Sequence, residues 1–166
     1  MTIFRLIKSK IFFTNVFKVL RRISVLVMTR KVFFSCSMSG GYGRLAQAEL
    51  RKIPDIIEAL GMVVISTHQT DENFVENEST LTEKRIHDRD YQWLQDADLV
   101  IAEITNPSLG VGAEIVDAVH LGIPVLCVYK REYEHLTSSY IRGKAGVVCR
   151  AYSDYDELKD IIREFM

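Results

Sequence analysis

Short apolar runs alternate with amphipathic stretches along the chain from Lys31 onward. Apolar runs rich in β-branched and aromatic residues predict strands, and apolar residues spaced by three and four predict helices. The predicted strands are 31–36, 62–67, 99–104, 124–129 and 146–149, and the predicted helices are 46–60, 82–96, 111–121 and a last helix that Asp154 caps. Pro54 should kink the first helix or split it in two. The polar stretches 68–80 and 130–144 lack periodicity and are predicted to be loops.

Strands that alternate with helices predict right-handed βαβ units and a parallel sheet that is covered on both faces. Five such strands favour a doubly wound, flavodoxin- or Rossmann-like α/β fold with the strand order 2-1-3-4-5. The fourth strand is fully apolar and is predicted to be central. Folds of this kind bind ligands beyond the carboxyl ends of strands 1 and 3, at the switch point of the sheet. The loops 37–43 and 106–114, both of which contain glycine, follow these two strands.

Composition narrows the class of protein further. Hydrophobic residues make up 48% of the chain, charged residues 26%, and the formal net charge is −1. These values indicate a globular domain and argue against binding of a nucleic acid polymer. The three cysteines are far apart, and the four histidines show no ligand spacing, so no metal site is predicted. No Walker loop or Gly-x-Ser-x-Gly elbow is present, and no cofactor is predicted, although the pattern does not exclude flavin.

The first 29 residues differ from the rest because they are basic and contain no acidic residue. Their apolar runs are too short to span a bilayer. One interpretation is a basic amphipathic segment that targets the protein, for example to mitochondria, or that lies on a membrane surface. Contact with a membrane is then expected only if the segment is retained. The other, slightly favoured because the folded pattern begins right after Met28, is that Met28 is the working start. We expect residues 30–166 to form the folded domain and the protein to be cytoplasmic or nuclear if no transit segment operates.

Glu114 is a candidate catalytic acid. If the third helix begins near Val111, then Val111, Glu114, Ala118 and Leu121 share one face, and the carboxyl group points toward the sheet. The alternative is that Glu114 only complements the helix dipole in a first turn. The pattern alone leaves these two interpretations about even.

Asp90 is the second candidate acid, because it lies on an apolar stripe of the helix 82–96. The members of that stripe are Ile86, Asp90, Trp93 and Ala97. The ordinary explanation would be a salt bridge to Arg85 or Arg89, or a helix cap elsewhere in the fold. Against the salt bridge, residues at −5 and −1 do not share the face of Asp90. Two carboxylates without a metal suit cleavage of a glycosidic bond, one as a nucleophile at the anomeric carbon and the other as a proton carrier.

Five segments together resemble a known family. They read Phe-Ser-Cys-Ser-Met-Ser-Gly-Gly (34–41), Ile-His-Asp-Arg-Asp-Tyr-Gln-Trp-Leu (86–94), Ala-Asp-Leu-Val-Ile-Ala-Glu-Ile-Thr (97–105), Asn-Pro-Ser-Leu-Gly-Val-Gly-Ala-Glu (106–114) and Tyr-Ile-Arg-Gly (140–143). Their order and spacing resemble the 2'-deoxynucleoside 5'-phosphate N-hydrolases of the nucleoside deoxyribosyltransferase superfamily. The resemblance runs from about Lys31 to the C-terminus, and the block 106–114 is its most specific part.

The resemblance implies a doubly wound homodimer that cleaves a deoxynucleoside 5'-monophosphate into free base and 2-deoxyribose 5-phosphate. It assigns Glu114 as the nucleophile and Asp90 as the second acid. It assigns substrate contacts to Ser37, Met38, Ser39, Gly40, His68, Ser108, Gly110, Ser138 and Tyr140. Within this set, Ser37 and Ser108 match phosphate-binding positions, and His68 falls near the base. Ser138 and Tyr140 match positions that complete the site of the partner subunit.

Two positions depart from the family pattern. Phe33 stands where many members have a tyrosine, so a hydroxyl group that would steady the nucleophile is missing unless Tyr42 supplies it. Ser39 stands where an arginine usually meets the phosphate, and this loss should weaken selectivity for phosphate. Arg44 or Arg142 could supply the missing cation.

Three other functions stay open on the sequence alone. A nucleoside 2-deoxyribosyltransferase would pass the sugar to a second base instead of to water. A nucleotide-binding sensor would have lost catalysis. A plain interaction module would have no ligand and therefore no reason to bury two acids.

Overall fold

The computed structural model describes residues 29–38, 43–66 and 74–166, and the predictions for residues 1–28 lie outside that part of the chain. The strands are β1 Lys31–Ser35, β2 Val63–Val64, β3 Leu99–Glu103, β4 Val125–Lys130 and β5 Val147–Tyr152. The helices are α1 Gln47–Leu50, α2 Lys52–Ala59, α3 Phe74–Ser79, α4 Glu83–Asp96, α5 Leu109–His120, the 3₁₀ helix Arg131–Leu136, α6 Ser139–Arg142 and α7 Tyr155–Phe165. No helix in the described residues has the length and apolar character that crossing a membrane requires.

The sheet confirms the predicted fold. Its five parallel strands have the order β2-β1-β3-β4-β5. The middle strand is β3, and the apolar β4 lies between β3 and β5, so β4 is an interior strand rather than the central one. Every residue of β3 is buried, as expected for a strand with helices over both faces.

Alternate residues of β1 enter different cores, because successive side chains of a strand point to opposite faces. Phe34 packs in a core that α2 and α7 cover, the latter through Leu158 and Ile162. Phe33 packs in a second core that α4 and α5 cover. The sheet therefore separates two apolar layers, and polar groups of β1 on the second face lie under α4 and α5.

Pro54 acts as predicted, since the first helical stretch divides into α1 and α2 at Arg51. Pro54 is the third residue of α2. A first-turn N–H has no acceptor within its own helix, so proline is tolerated there.

Several predicted boundaries are wrong. β2 has two residues rather than six, because the Ser66 hydroxyl takes over the pairing: it accepts from Phe34 N at 2.8 Å and donates to Phe34 O at 2.7 Å. Part of the predicted loop 68–80 is helix α3, and the predicted loop 130–144 contains the 3₁₀ helix and α6. β5 extends to Tyr152 instead of ending at Cys149.

Candidate active site

The carboxyl ends of β1 and β3 meet at the switch point of the sheet. Ser35, the last residue of β1, is in register with Ala102 of β3. The chain leaves β1 toward β2 on one side and leaves β3 toward β4 on the other. The two outgoing loops therefore diverge and leave a crevice above these strand ends, where ligands of doubly wound sheets bind.

Glu114 of α5 points to that crevice. Its Oε2 accepts a hydrogen bond of 2.5 Å from the Ser35 hydroxyl. Burial raises the pKa of Glu114 to about 7, and the nearby Asp90 and Asp117 carboxylates add to this, while the hydrogen bond from Ser35 opposes it. The carboxyl group is thus partly ionised near neutral pH, and a proton or a developing positive charge interacts with it strongly.

The expected phase of helix α5 is wrong. The helix begins at Leu109 rather than near Val111, with the Ser108 hydroxyl accepting from Val111 N as its N-cap. Glu114 therefore lies in the second turn, so it is not a first-turn residue that complements the dipole. The buried stripe is Val111, Ile115 and Ala118, and Leu121 is 38% exposed instead of sharing it.

Asp90 is half-buried on α4, and it does form an ion pair, contrary to the sequence argument. The Arg89 guanidinium donates from Nε to Asp90 Oδ1 at 2.9 Å and from Nη1 to Glu78 of α3 at 2.6 Å. The arginine side chain is long enough to reach its neighbour although the two residues start on different faces. Burial raises the pKa of Asp90, and the contact with Arg89 opposes the rise.

Glu114 on α5 and Asp90 on α4 interact electrostatically, since the Asp90 carboxylate adds to the rise in the pKa of Glu114. A pair of carboxyl groups with raised pKa values can keep one group as an acid while the other acts as a base or nucleophile. This arrangement suits displacement at an anomeric carbon.

The sequence interpretation did not single out Glu103, a fully buried acid at the end of β3. Its carboxyl group accepts from the amide and hydroxyl of Thr105 and from the Tyr152 hydroxyl at 3.3 Å. Burial raises its pKa to about 7 in spite of these donors and the nearby Lys130 ammonium. An acid inside the apolar run 99–104 was the signal that could have found it.

Asn106 joins the two loops of the crevice. Its Oδ1 accepts from Arg44 N at 3.0 Å and from Leu45 N at 3.2 Å, and its Nδ2 donates to Leu45 O at 2.7 Å. The Arg44 guanidinium donates to Thr105 O at 3.1 Å and to Leu136 O at 3.2 Å. These bonds fix the loop after β1 against the loop after β3, so the residues that follow each strand keep one relative position.

Arg44 lies at a groove of about 600 Å³ beside the start of α5. Ser108, Ser138 and Tyr140 line the same groove, together with Leu109, which is 96% exposed. Neither Glu114 nor Asp90 is among its lining residues. Within one chain, the structure therefore groups three predicted substrate contacts at one place and the two acids at another.

The structure describes only some of the remaining residues that were predicted to contact the substrate. Ser37 is buried just beyond β1, and Met38 is partly buried, with its carbonyl accepting from Gln47 Nε2 at 2.6 Å. Gly110 is the second residue of α5. Ser39, Gly40, Tyr42 and His68 lie outside the described residues.

No cluster of three or more His, Cys, Asp or Glu side chains suited to a metal ion occurs in the described ranges. Cys36, Cys127 and Cys149, all within the described ranges, are thiols rather than members of a disulfide. Cys127 is buried in the core, and Cys149 beside it is half-buried.

The fold and the site define a doubly wound α/β protein with an acid, Glu114, hydrogen-bonded to the end of β1 at the switch point. A family model described as nucleoside 2-deoxyribosyltransferase matches residues 35–157. The chain belongs to this family, which confirms the resemblance found in its motifs.

Individual relatives agree with the family. A Methanosarcina mazei protein named "Putative 2'-deoxynucleoside 5'-phosphate N-hydrolase 1" is 37% identical over 139 residues, which cover 82% of this chain and 84% of that protein. The 5-hydroxymethyl-dUMP N-hydrolase of Rattus norvegicus is 39% identical over 116 residues, 69% of each chain. The solved structure of Clostridium botulinum CMP N-glycosidase, BcmB, has a TM-score of 0.59 at 19% identity, and the match covers 82% of this chain and 100% of that one. At that identity, the match supports the fold alone.

Proposed function

We propose that this protein is an N-glycosidase that hydrolyses 2'-deoxynucleoside 5'-monophosphates to free base and 2-deoxyribose 5-phosphate. The observation that carries the proposal is Glu114, which is partly buried at the switch point, accepts a hydrogen bond from Ser35 and has its pKa raised in part by Asp90. Membership of the family supports the same reaction, and so do the names of the relatives, which are N-hydrolases.

In the proposed first step, ionised Glu114 attacks the anomeric carbon, and the bond from that carbon to the base nitrogen breaks with its electron pair going to the base. Asp90 gives the leaving base a proton, a role that its raised pKa favours. In the second step, water attacks the glycosyl ester, Asp90 takes back a proton, and Glu114 is released. A 2-deoxy sugar has no electron-withdrawing 2'-hydroxyl, so its oxocarbenium-like transition state is easier to reach.

We assign the 5'-phosphate to the groove beside α5. Ser108 offers a hydroxyl group there, and Arg44 offers a cation that pairs with no carboxylate in the described part of the chain. Arg142 is a weaker candidate because it already pairs with Glu134 at 2.7 Å. A guanidinium held by two backbone carbonyls keeps its positive charge for an anion, which would offset the loss of the family's arginine at Ser39.

The groove and the acids are separate within one chain, and a homodimer would reconcile them. Leu109, Leu136 and Tyr140 are exposed by 96%, 49% and 77%, a concentration of apolar surface at one groove. Apolar surface of this kind is typical of protein interfaces. A second copy seated on it would bring Ser138 and Tyr140 to the partner's substrate.

The test is a chromatographic assay of the full-length chain with deoxynucleoside monophosphates, the matching deoxynucleosides and one ribonucleotide. Free base from the monophosphates, lost in Glu114→Ala, is the expected result. Base release that survives Glu114→Ala would refute the role of the nucleophile, and tight binding of a monophosphate without turnover would indicate a sensor instead.

The family description favours one alternative, a nucleoside 2-deoxyribosyltransferase, which would form the same glycosyl ester and pass the sugar to a base. Addition of a second free base to the assay separates the two reactions. A new nucleoside or nucleotide that contains the added base would identify a transferase. Formation of 2-deoxyribose 5-phosphate at an unchanged rate would identify the hydrolase.

A further inference from the structure

The hydroxyl group of Ser35 on β1 lies against the face of α5 that packs on the sheet. Phe33 and Ser35 are two residues apart and therefore lie on the same face of the strand. Phe33 is fully buried in the core under α4 and α5 and brings no polar atom. Ser35 lies one step nearer the carboxyl end, is also fully buried, and is the side chain of β1 that meets Glu114.

The hydrogen bond between them is specific in its direction. A serine hydroxyl has one proton to donate, and Ser35 donates it to Oε2 of Glu114 at 2.5 Å. Among the described residues, no hydrogen bond reaches the other oxygen, Oε1. One oxygen of the carboxyl group is thus fixed to the sheet, and the described residues leave the lone pairs of the other oxygen to a ligand.

We propose that Ser35 is the positioning residue of the nucleophile, holding one oxygen of Glu114 while the other attacks the anomeric carbon. The inference rests on the proposed hydrolase function and adds a residue to it. A hydrogen bond to the ionised carboxylate also favours the form that reacts. Ser35 contributes no atom to the products, so it acts through Glu114.

The groups around Glu114 determine what removal of this hydroxyl does. Asp90 from α4 and Asp117 from α5 raise the pKa of Glu114, and burial raises it most. The thiol of Cys36, the residue after β1, stays protonated, because burial and the carboxylates of Glu103 and Glu114 raise its pKa far above the ordinary value. Ser35 opposes these effects, so its loss should raise the pKa of Glu114 above about 7.

Ser35→Ala is the direct test, measured as kcat and KM for a deoxynucleoside monophosphate over a range of pH. We expect kcat to fall by about ten- to a hundred-fold, the loss typical of a hydrogen bond to a charged group, with KM changed by no more than about three-fold. The acid limb of the pH profile should move to higher pH. Ser35→Thr keeps a hydroxyl and should recover most of the rate.

Ser66→Ala is the matched control, since Ser66 is an equally buried serine whose hydroxyl, among the described residues, bonds to the backbone of Phe34. It should lower stability and leave the acid limb in place. If Ser35→Ala and Ser66→Ala give the same pH profile and a similar kcat, Ser35 is merely structural and the inference is wrong.

A second readout separates this inference from the proposed function. The ¹³C signal of the Glu114 carboxyl, assigned by its loss in Glu114→Gln, can be titrated without turnover. A higher midpoint in Ser35→Ala supports the hydroxyl contact, and an unchanged midpoint overturns it. If no substrate is cleaved by the unmodified protein, the proposed function fails, and the titration still decides whether Ser35 acts on Glu114.

Discussion

Replacing Glu103 by glutamine should remove a large part of the pH dependence of folding stability. The Glu103 carboxyl is fully buried, and burial raises its pKa from 4.5 to about 7. The folded state therefore binds this proton more tightly than the unfolded state does. The resulting stabilisation is complete below about pH 4.5 and is lost as the pH rises through about 7.

The size of the effect follows from the same two pKa values. Between pH 5 and pH 8, a group that titrates near 4.5 when unfolded and near 7 when folded costs the protein about 2–3 kcal/mol. Glu114 has a similar pKa, about 7, and should make a second contribution of the same sign. Glutamine cannot ionise, so Glu103→Gln deletes only the first contribution.

Urea unfolding, followed by the fluorescence of Trp93, the single tryptophan, measures the free energy of unfolding. It is carried out at pH 5 and at pH 8. The fall in unfolding free energy from pH 5 to pH 8 should be about 2–3 kcal/mol smaller in Glu103→Gln than in the unmodified protein. Glu164→Gln, the same change at an exposed position of α7, is the control and should leave the fall unchanged. A full pH dependence in Glu103→Gln would refute the reasoning, because it would mean that burial of this carboxyl does not govern the titration.

Three further predictions concern the candidate site. Arg44→Met should raise KM for monophosphates by at least about ten-fold, because a charged hydrogen bond to phosphate is lost, and should hardly affect deoxynucleosides; Arg142→Met is the matched control in the same assay. Arg89→Gln removes the cation that favours ionised Asp90, so the pKa of Asp90 should rise and the basic limb of the pH–rate profile should move to higher pH; an unmoved limb would refute this. Leu109→Asp puts a charge on the exposed apolar groove, so sedimentation should show a monomer with little activity, and an active dimer would contradict the proposed interface.

The order of the sheet could be predicted from the sequence, because each buried strand must be apolar and each covering helix must carry an apolar stripe. The short helices could not be predicted in this way. Helices α3 and α6 have six and four residues, which is too short to show a helical periodicity of apolar residues. The length of β2 was missed for a different reason. The Ser66 hydroxyl bonds to the backbone of Phe34 in place of a backbone group of β2, and a hydropathy pattern does not reveal such a side-chain contact.

The sequence singled out the two candidate acids, but it did not predict the residues that contact them. Glu114 and Asp90 stood out because each is an acid near apolar helical positions. Ser35 was passed over because a serine in a strand is common, and only the three-dimensional pairing of β1 with α5 gives it a role. The ion pair of Asp90 with Arg89 was missed because helical spacing describes only where side chains leave the backbone. The Arg89 side chain is long enough to contact the carboxyl group of its neighbour in sequence.

Glu103 and Glu114 show why a raised pKa alone does not identify a reacting group. Burial raises the pKa of both carboxyl groups to about 7, although Glu103 is the last residue of β3 and Glu114 lies on α5. Glu103 receives three hydrogen bonds, two from Thr105 and one from Tyr152, and the Thr105 carbonyl in turn holds Arg44. Glu114 receives one, from Ser35, and its second oxygen has no hydrogen bond from the described residues. A carboxyl group that is saturated with donors braces the loop, whereas one that is held at a single oxygen can still form a bond, so we assign the nucleophile to Glu114 and the bracing of the loop to Glu103.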